Sequence, residues 1–382
     1  MMPPPNPQPW LTEDVARFRD SVRRFIAAEL APRLEAWRSQ GFVDQAVWRR
    51  VGGMGMLLPE LPETWGGEGG SLAHQMVLQE EFARAEMPVS SSVHSIAAHY
   101  LLEYGSAAQK ARWLPRMARG ELLGGIAMTE PDAGSDLQAL RTRAIREGDS
   151  YRVSGSKTFI TNGATAGLLV VVVRTSEAPG GKGLSLLVME TEGLQGFSAG
   201  PLLAKLGQKA SDTTELFFDE VSVPAENLLG ETEGKGFSQL MAQLPFERML
   251  LAVGAAAVME RALELTLDYA RTRKAFGQSL FEFQNTRFKL AECATTAHIA
   301  RIFVDGCIQS LLDGRLSPAA ACMAKWWCAE EQFKLLDECL QLFGGYGYMT
   351  EYPVARMWAD ARVQKIYGGT NEIMKELIAR NL

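Results

Sequence analysis

Near its C-terminus the chain reads Tyr367-Gly368-Gly369-Thr370-Asn371-Glu372-Ile373-Met374, a Gly-Gly pair inside a run that otherwise has the pattern of helix from Ala359 to Leu382. Glycine lets a backbone approach a ligand closely. The helix start that follows offers free N–H groups and the positive end of a dipole, which suit a phosphate or an anionic oxygen. A plain helix–turn–helix corner would use the same residues. Four more stretches carry groups able to bind. Ala127–Asp136, AMTEPDAGSD, places the hydroxyls of Thr129 and Ser135 in a turn whose backbone N–H groups can hydrogen-bond a ring or a phosphate. Gly155–Gly163, GSKTFITNG, sets Phe159 and Thr161 on the same face of a strand, an aromatic beside a hydroxyl that can cover a flat heterocycle or simply fill a core. Tyr269–Gln284, YARTRKAFGQSLFEFQ, gathers Arg271, Arg273 and Lys274 at a helix end, where they also complement the dipole. Gln341–Asp360, QLFGGYGYMTEYPVARMWAD, contains a second Gly-rich turn.

The elements around these segments fall into three blocks. Thr12 can cap a first helix with apolar positions at Val15, Phe18, Val22 and Phe25. The loop Leu61–Ser71 interrupts, and helical pattern resumes over Leu72–Arg119 with Ser106 as a cap. After Glu121 short β-rich runs alternate with turns, at Gly167–Thr175, Gly183–Thr191 and Glu215–Pro224, which predicts a small antiparallel β domain. Long helices follow near 236–273, 284–313 and 317–342. The expected organisation is α+β and mostly α: a disordered lead over 1–10, a helical domain over 11–121, a β domain over 122–232 and a helical domain over 233–382. Segregated strands and helices argue against a doubly wound sheet, and no GxGxxG follows a strand.

Composition narrows the partners. The 382 residues are 47% hydrophobic and 22% charged, with a net charge of -6 mixed along the chain, which favours neither nucleic acid nor an anionic membrane. The longest apolar runs, such as Gly167–Val173 and Met249–Met259, are too short to span a bilayer. The Pro-rich opening MMPPPNPQPW has no signal-peptide pattern, so a cytoplasmic location is expected. The five cysteines lie in the last third without a CxxC, as reduced core thiols would. Of the four histidines only His94 and His99, five apart, approach zinc-ligand spacing, and the pair reads as incidental, so no metal site is expected.

In order and spacing, the five segments identify the chain as resembling the acyl-CoA dehydrogenase family over nearly its whole length. The tail YGGTNEIMKELIAR is most similar to the long-chain and isovaleryl branches. The resemblance implies an N-terminal helical domain, a central β domain, a C-terminal four-helix domain, FAD as cofactor and a homotetramer. It implies that Ile126, Met128, Thr129 and Ser135 line the flavin, with Ser135 also reaching the CoA ligand, and that Phe159 and Thr161 pack against and hydrogen-bond the isoalloxazine. Arg273, Phe276 and Gln284, with Gln341, Gly344 and Gly345, would come from a neighbouring subunit onto the diphosphate and adenosine, and Thr370 and Glu372 would hold the adenosine end. An Arg on a diphosphate beside glycines that allow close approach is consistent chemistry.

The family reaction takes a proton from the carbon next to a thioester carbonyl while a hydride leaves the β carbon for flavin N5. Electrons then pass to an electron-transfer flavoprotein. The weakly acidic α proton requires a carboxylate over the α carbon and hydrogen bonds to the carbonyl oxygen. Many members carry that carboxylate directly after the tail tyrosine, where this chain has Gly368. Asp219 and Glu220 are expected at a solvated strand end. Glu247, in LPFERMLL, is expected in the first turn of a long helix starting near Pro245, where it would complement the dipole. The long-chain and isovaleryl branches carry their base at this matching position together with a Gly-Gly tail, so the resemblance implies Glu247 as the base.

The Gly368 N–H, beside Gly369, would then donate to the thioester oxygen alongside the ribityl 2′-hydroxyl, and Arg248 would contact the substrate side. Expulsion of water by an acyl chain should raise the Glu247 pKa. Ile126 stands where several relatives have an aromatic, and Ser238 where the long-chain branch has a tyrosine, so the acyl chain length stays open. The pocket is expected between the 72–105 helices and Phe237, Met241 and Leu244. Two other readings are a non-catalytic flavin- or CoA-binding partner and a flavin oxidase or monooxygenase of the same fold.

Overall fold

The computed structural model describes residues 8–88 and 92–382. Six helices come first: α1 (Glu13–Phe25), α2 (Leu34–Gln40), α3 (Gln45–Gly52), α4 (Leu72–Arg84), α5 (Ser92–Tyr104) and α6 (Ala107–Ala118). Thr12 caps α1 by accepting from the Val15 N–H at 3.4 Å, with Glu13 and Asp14 in the first turn and Arg23 and Arg24 in the last. Ser106 and Gln109 form a reciprocal capping box on α6. Part of the expected disordered lead is instead docked. Trp10 is buried and its Nε1 donates to Asp305 at 3.2 Å, joined there by the Gln8 amide at 3.0 Å. The indole gives that segment enough apolar surface to hold it down. The remainder of the lead, residues 1–7, lies outside the described residues.

Seven strands form the middle sheet: β1 (Gly124–Ala127), β2 (Arg143–Glu147), β3 (Ser150–Thr161), β4 (Leu168–Arg174), β5 (Leu184–Glu190), β6 (Phe197–Ala199) and β7 (Thr213–Pro224). Their order is β1-β4-β2-β3-β7-β6, with β5 also paired to β4. The pairing is antiparallel as expected, except that β1 and β2 each run parallel to β4. The β4 sequence LLVVVV does not alternate because both faces are covered. Leu168, Val170 and Val172 enter the core shared with the helices, whereas Leu169, Val171 and Val173 enter the β domain's own core.

Helix α7 (Gly236–Thr272) leads to a short hairpin, β8 (Lys274–Ala275) and β9 (Gln278–Ser279), then α8 (Gln284–Leu312), α9 (Pro318–Leu342), α10 (Pro353–Ala361) and α11 (Asn371–Ala379). The expected helix start at Pro245 is corrected: α7 runs straight through it, so Glu247 lies in the interior of the helix and not in its first turn. Proline removes the N–H that would reach the Met241 carbonyl. The long buried stripe of α7, from Gln239 and Leu240 through Ala270, outweighs that loss. All five cysteines are buried free thiols on α8 and α9. No described helix is long and apolar enough to cross a membrane.

Candidate active site

Glu247 is 6% exposed, and its neighbour Arg248 is also buried. Tyr100, fully buried on α5, donates its hydroxyl to Glu247 Oε1 at 2.8 Å. Burial pushes the Glu247 carboxyl up to about 7, against the opposing pull of the Tyr100 hydrogen bond and the Arg248 charge. Such a group is poised to exchange a proton near neutrality.

Two buried cations, Arg248 and Lys325, lie between α7, α9 and the glycine turn. Arg248 Nη1 donates to Cys322 Sγ at 3.3 Å, while its Nε has no partner among the described residues. Lys325 of α9 donates to the Gly369 carbonyl at 2.7 Å and to Asn371 Oδ1 at 3.3 Å. Burial lowers the Lys325 ammonium to about 8, and Arg248 adds to the effect.

The Gly-Gly question has a geometric answer. Gly368 and Gly369 have φ of +65° and +92°, the left-handed region that disfavours other residues. A Cβ on Gly368 would lie 2.6 Å from Leu251 Cδ1, one helical turn beyond Glu247. A Cβ on Gly369 would lie 2.5 Å from Met374 Cε and 3.9 Å from Arg248 Nη2. The bare backbone of this turn therefore packs against the stretch of α7 that carries Glu247 and Arg248. Thr370 then caps α11 by accepting from the Ile373 N–H at 3.3 Å. Glu372 is exposed in the first turn, its carboxyl held below the usual range by its own backbone N–H and by Thr370.

A second cluster forms where β1 meets β3. Ile126, Met128 and Thr129 are half-buried there, and Lys157 ties them down by donating to the Met128 carbonyl and to Glu130 Oε1, both at 2.9 Å. The Thr158 N–H adds a bond to the Thr129 carbonyl at 2.9 Å. Burial lowers the Lys157 ammonium to about 8. Burial alone would raise the Glu130 carboxyl, but Lys157, Thr142 and the Arg141 N–H hold it below its ordinary value, so the pair stays ionic.

Next to this clamp, the β3–β7 register slips between Lys157 and Ile160. Phe159 takes φ +58° there and points outward, 69% exposed, with Thr161 half-buried beyond it. A phenyl ring held out of the core on strained backbone, beside a hydroxyl and a pinned loop, fits a flat heterocycle. Ser135 lies exposed on the loop after β1.

A third cluster joins the end of α7 to the end of α9. The Arg273 guanidinium lies 5.6 Å from the Tyr346 ring centre and has no carboxylate partner among the described residues. Tyr269 stacks on Phe343 at 4.2 Å. Gln341 is exposed in the last turn of α9, and a Cβ on Gly344 or Gly345 would meet nothing within 4 Å. An unpaired guanidinium beside open glycine backbone fits a phosphate. Phe276, at the β8–β9 turn, is 96% exposed with φ +51°, and Gln284 opens α8.

The structure thus brings Glu247 and Arg248 together with Gly368 and Gly369, Phe159 and Thr161 together with the Ile126–Thr129 segment, and Arg273 together with the Gln341–Gly345 turn. Among the described residues no hydrogen bond or ion pair connects the Arg273 cluster to the Phe159 cluster within the chain. Sequence reasoning missed Tyr100 and Lys325. Both lie inside apolar helical stripes, HYLL and MAKWW, where the pattern reports burial and not polar pairing.

Comparison with known proteins bears on the whole chain. Family models described as the N-terminal, middle and C-terminal domains of acyl-CoA dehydrogenase match residues 12–121, 125–221 and 234–382. The mitochondrial long-chain specific acyl-CoA dehydrogenase of Rattus norvegicus is 46% identical over 370 residues, covering 96% of this chain and 85% of that protein. The crystal structure of acyl-CoA dehydrogenase from Geobacillus kaustophilus superposes with a TM-score of 0.93 at 42% identity, covering 97% of this chain and 98% of that one. A glutaryl-CoA dehydrogenase from Mycobacterium smegmatis, solved in complex with FADH2, superposes with a TM-score of 0.91 at 28% identity, covering 98% and 96%.

Proposed function

This chain belongs to the acyl-CoA dehydrogenase family and is an FAD-dependent oxidoreductase, and we propose that it converts a saturated acyl-CoA to the trans-2-enoyl-CoA with Glu247 as the base. The observation that carries the proposal is the buried Glu247 carboxyl, pushed up to about 7, on the stretch of α7 against which the Gly368–Gly369 backbone turns. Glu247 takes the α proton. The Gly368 N–H, on a turn held by Lys325 through the next carbonyl, donates to the thioester oxygen as negative charge develops on it. Arg248 contacts the substrate side and keeps a positive field behind that oxygen.

The residues present fit FAD, which when bound supplies an acceptor for the hydride that leaves the β carbon. Thr129, Phe159 and Thr161, with Ile126, Met128 and Ser135, would hold the flavin. Arg273, Phe276, Gln284, Gln341, Gly344 and Gly345 of a neighbouring copy would hold the diphosphate and adenosine within a homotetramer. Thr370 and Glu372 complete the adenosine end, and an electron-transfer flavoprotein takes the electrons.

The test is a panel of straight and branched acyl-CoA thioesters added anaerobically to the yellow protein with a dye acceptor. Flavin bleaching and dye reduction with at least one saturated thioester are expected. Binding without bleaching across the panel would favour the non-catalytic reading, and rapid oxygen consumption in air would favour an oxidase.

A further inference from the structure

The phenol of Tyr100 has one polar atom, and it is fully buried. A buried tyrosine hydroxyl normally finds a partner, and here the partner is the proposed base at 2.8 Å rather than a backbone carbonyl. The other polar groups on the neighbouring segments are engaged elsewhere. Tyr104, one turn along α5, donates to the Gln239 carbonyl and accepts from the Gln243 amide, both at 3.5 Å. His99 is bound to Glu60 at 2.6 Å and stacks on Phe246 at 4.1 Å. Arg248 is turned to Cys322, and Lys325 to Gly369 and Asn371. Among the described residues Tyr100 is therefore the sole hydrogen-bond donor to Glu247, and Oε2 has no partner.

We propose that Tyr100 is a positioning residue whose phenol anchors Oε1 of Glu247 and leaves Oε2 as the oxygen that takes the substrate's α proton. The inference rests on Glu247 being the base. A carboxylate fixed at one oxygen has lost the rotation that would otherwise scatter its second lone pair, so its near-attack geometry is set before substrate arrives. A donor to the carboxylate also favours its ionised form, which offsets part of the effect of burial. In the proton transfer the α C–H bond breaks, its electron pair stays on the α carbon and spreads onto the thioester oxygen, one Oε2–H bond forms, and the phenol keeps its own proton, whose loss is disfavoured first by burial and then by the adjacent carboxylate.

The experiment compares native holoenzyme with Tyr100→Phe and with 3-fluorotyrosine at position 100. It follows the rate of anaerobic flavin bleaching by a saturated acyl-CoA against pH. In parallel, infrared difference spectroscopy of the carboxyl band titrates Glu247 without turnover, with Glu247→Gln as the blank. Tyr100→Phe should move both the acid limb and the carboxyl titration upward by about one pH unit, slowing bleaching roughly tenfold below neutrality and recovering most of it near pH 9. The fluorinated phenol, a stronger donor, should move both in the opposite direction. If Glu247→Gln is inert but the Tyr100 variants superimpose on native in both titrations, the Tyr100 assignment is wrong and the base reading stands. If Glu247→Gln bleaches normally, the base reading itself fails. Should Tyr100→Phe fold poorly, the fluorinated protein still decides, because its shape is nearly native.

Discussion

Glu247 shows what it costs to hold a carboxyl where water is scarce. Its folded value of about 7 stands against an ordinary 4.5. Below pH 4.5 it is neutral whether the chain is folded or unfolded, and its burial carries no ionisation penalty. As pH rises from 4.5 to 7 the unfolded chain sheds the proton first, so stability falls, and above 7 the loss is constant at about 3 kcal/mol. Glu247→Gln should therefore gain stability over native protein at pH 8 but not at pH 4.5, measured by urea unfolding; an equal difference at both would show that burial does not raise this carboxyl. Glu247 was legible only through its match to a family position and the Gly-Gly tail, because a lone Glu near a proline also reads as a helix-start residue. Its Tyr100 partner was hidden, since a tyrosine in an apolar helical stripe looks like core. The sequence shows only that position 368 has no side chain, from which a role for its backbone N–H is expected. The left-handed φ and the approach of Leu251 that keep a side chain out appear only in three dimensions.

Among the elements, the junction of β1 and β3 sets the aromatic face of the site. Lys157 and Glu130 form a buried pair that fixes the Met128–Glu130 segment under Phe159. Lys157→Met removes the cation and leaves the buried Glu130 carboxylate held only by the Arg141 and Thr142 N–H groups, which should destabilise the fold by about 3 kcal/mol. It should also loosen FAD, read by flavin release during thermal unfolding. Adding Glu130→Gln should recover much of the loss, and failure to recover would mean that the charge pair is not the fixing contact. The caps at Thr12 and Ser106 and the long helices were legible because capping residues and apolar periodicity act locally. The unbroken valines of β4 reported burial but not pairing. That β1 and β2 lie parallel to β4, and that β3 slips register at Phe159, depends on contacts between distant segments. Pro245 misled for the opposite reason: a local rule gave way to the packing of a 37-residue helix.

Across the whole molecule, no hydrogen bond or ion pair among the described residues links the cluster suited to a flavin ring to the one suited to its diphosphate, and Phe276 stands almost fully exposed. A second copy that supplies Arg273 and Phe276 would complete the first copy's site. Arg273→Ala should lower FAD affinity at least tenfold and shift the assembly toward smaller species on dilution, followed by flavin absorbance and sedimentation velocity together; unchanged FAD affinity would remove the guanidinium from the diphosphate. The order of the three blocks was legible from apolar periodicity, caps and turn-bounded β-rich runs, whereas assembly between copies is expected only through family resemblance. In the proposed reaction the proton is removed by a carboxylate on α7 and not by one on the tail. Stopped-flow mixing of Glu247→Gln with a saturated acyl-CoA that bleaches native protein tests it most directly. The variant should be a yellow, substrate-binding protein whose bleaching is roughly a thousandfold slower, the scale of one general base. Bleaching at the native rate would contradict it.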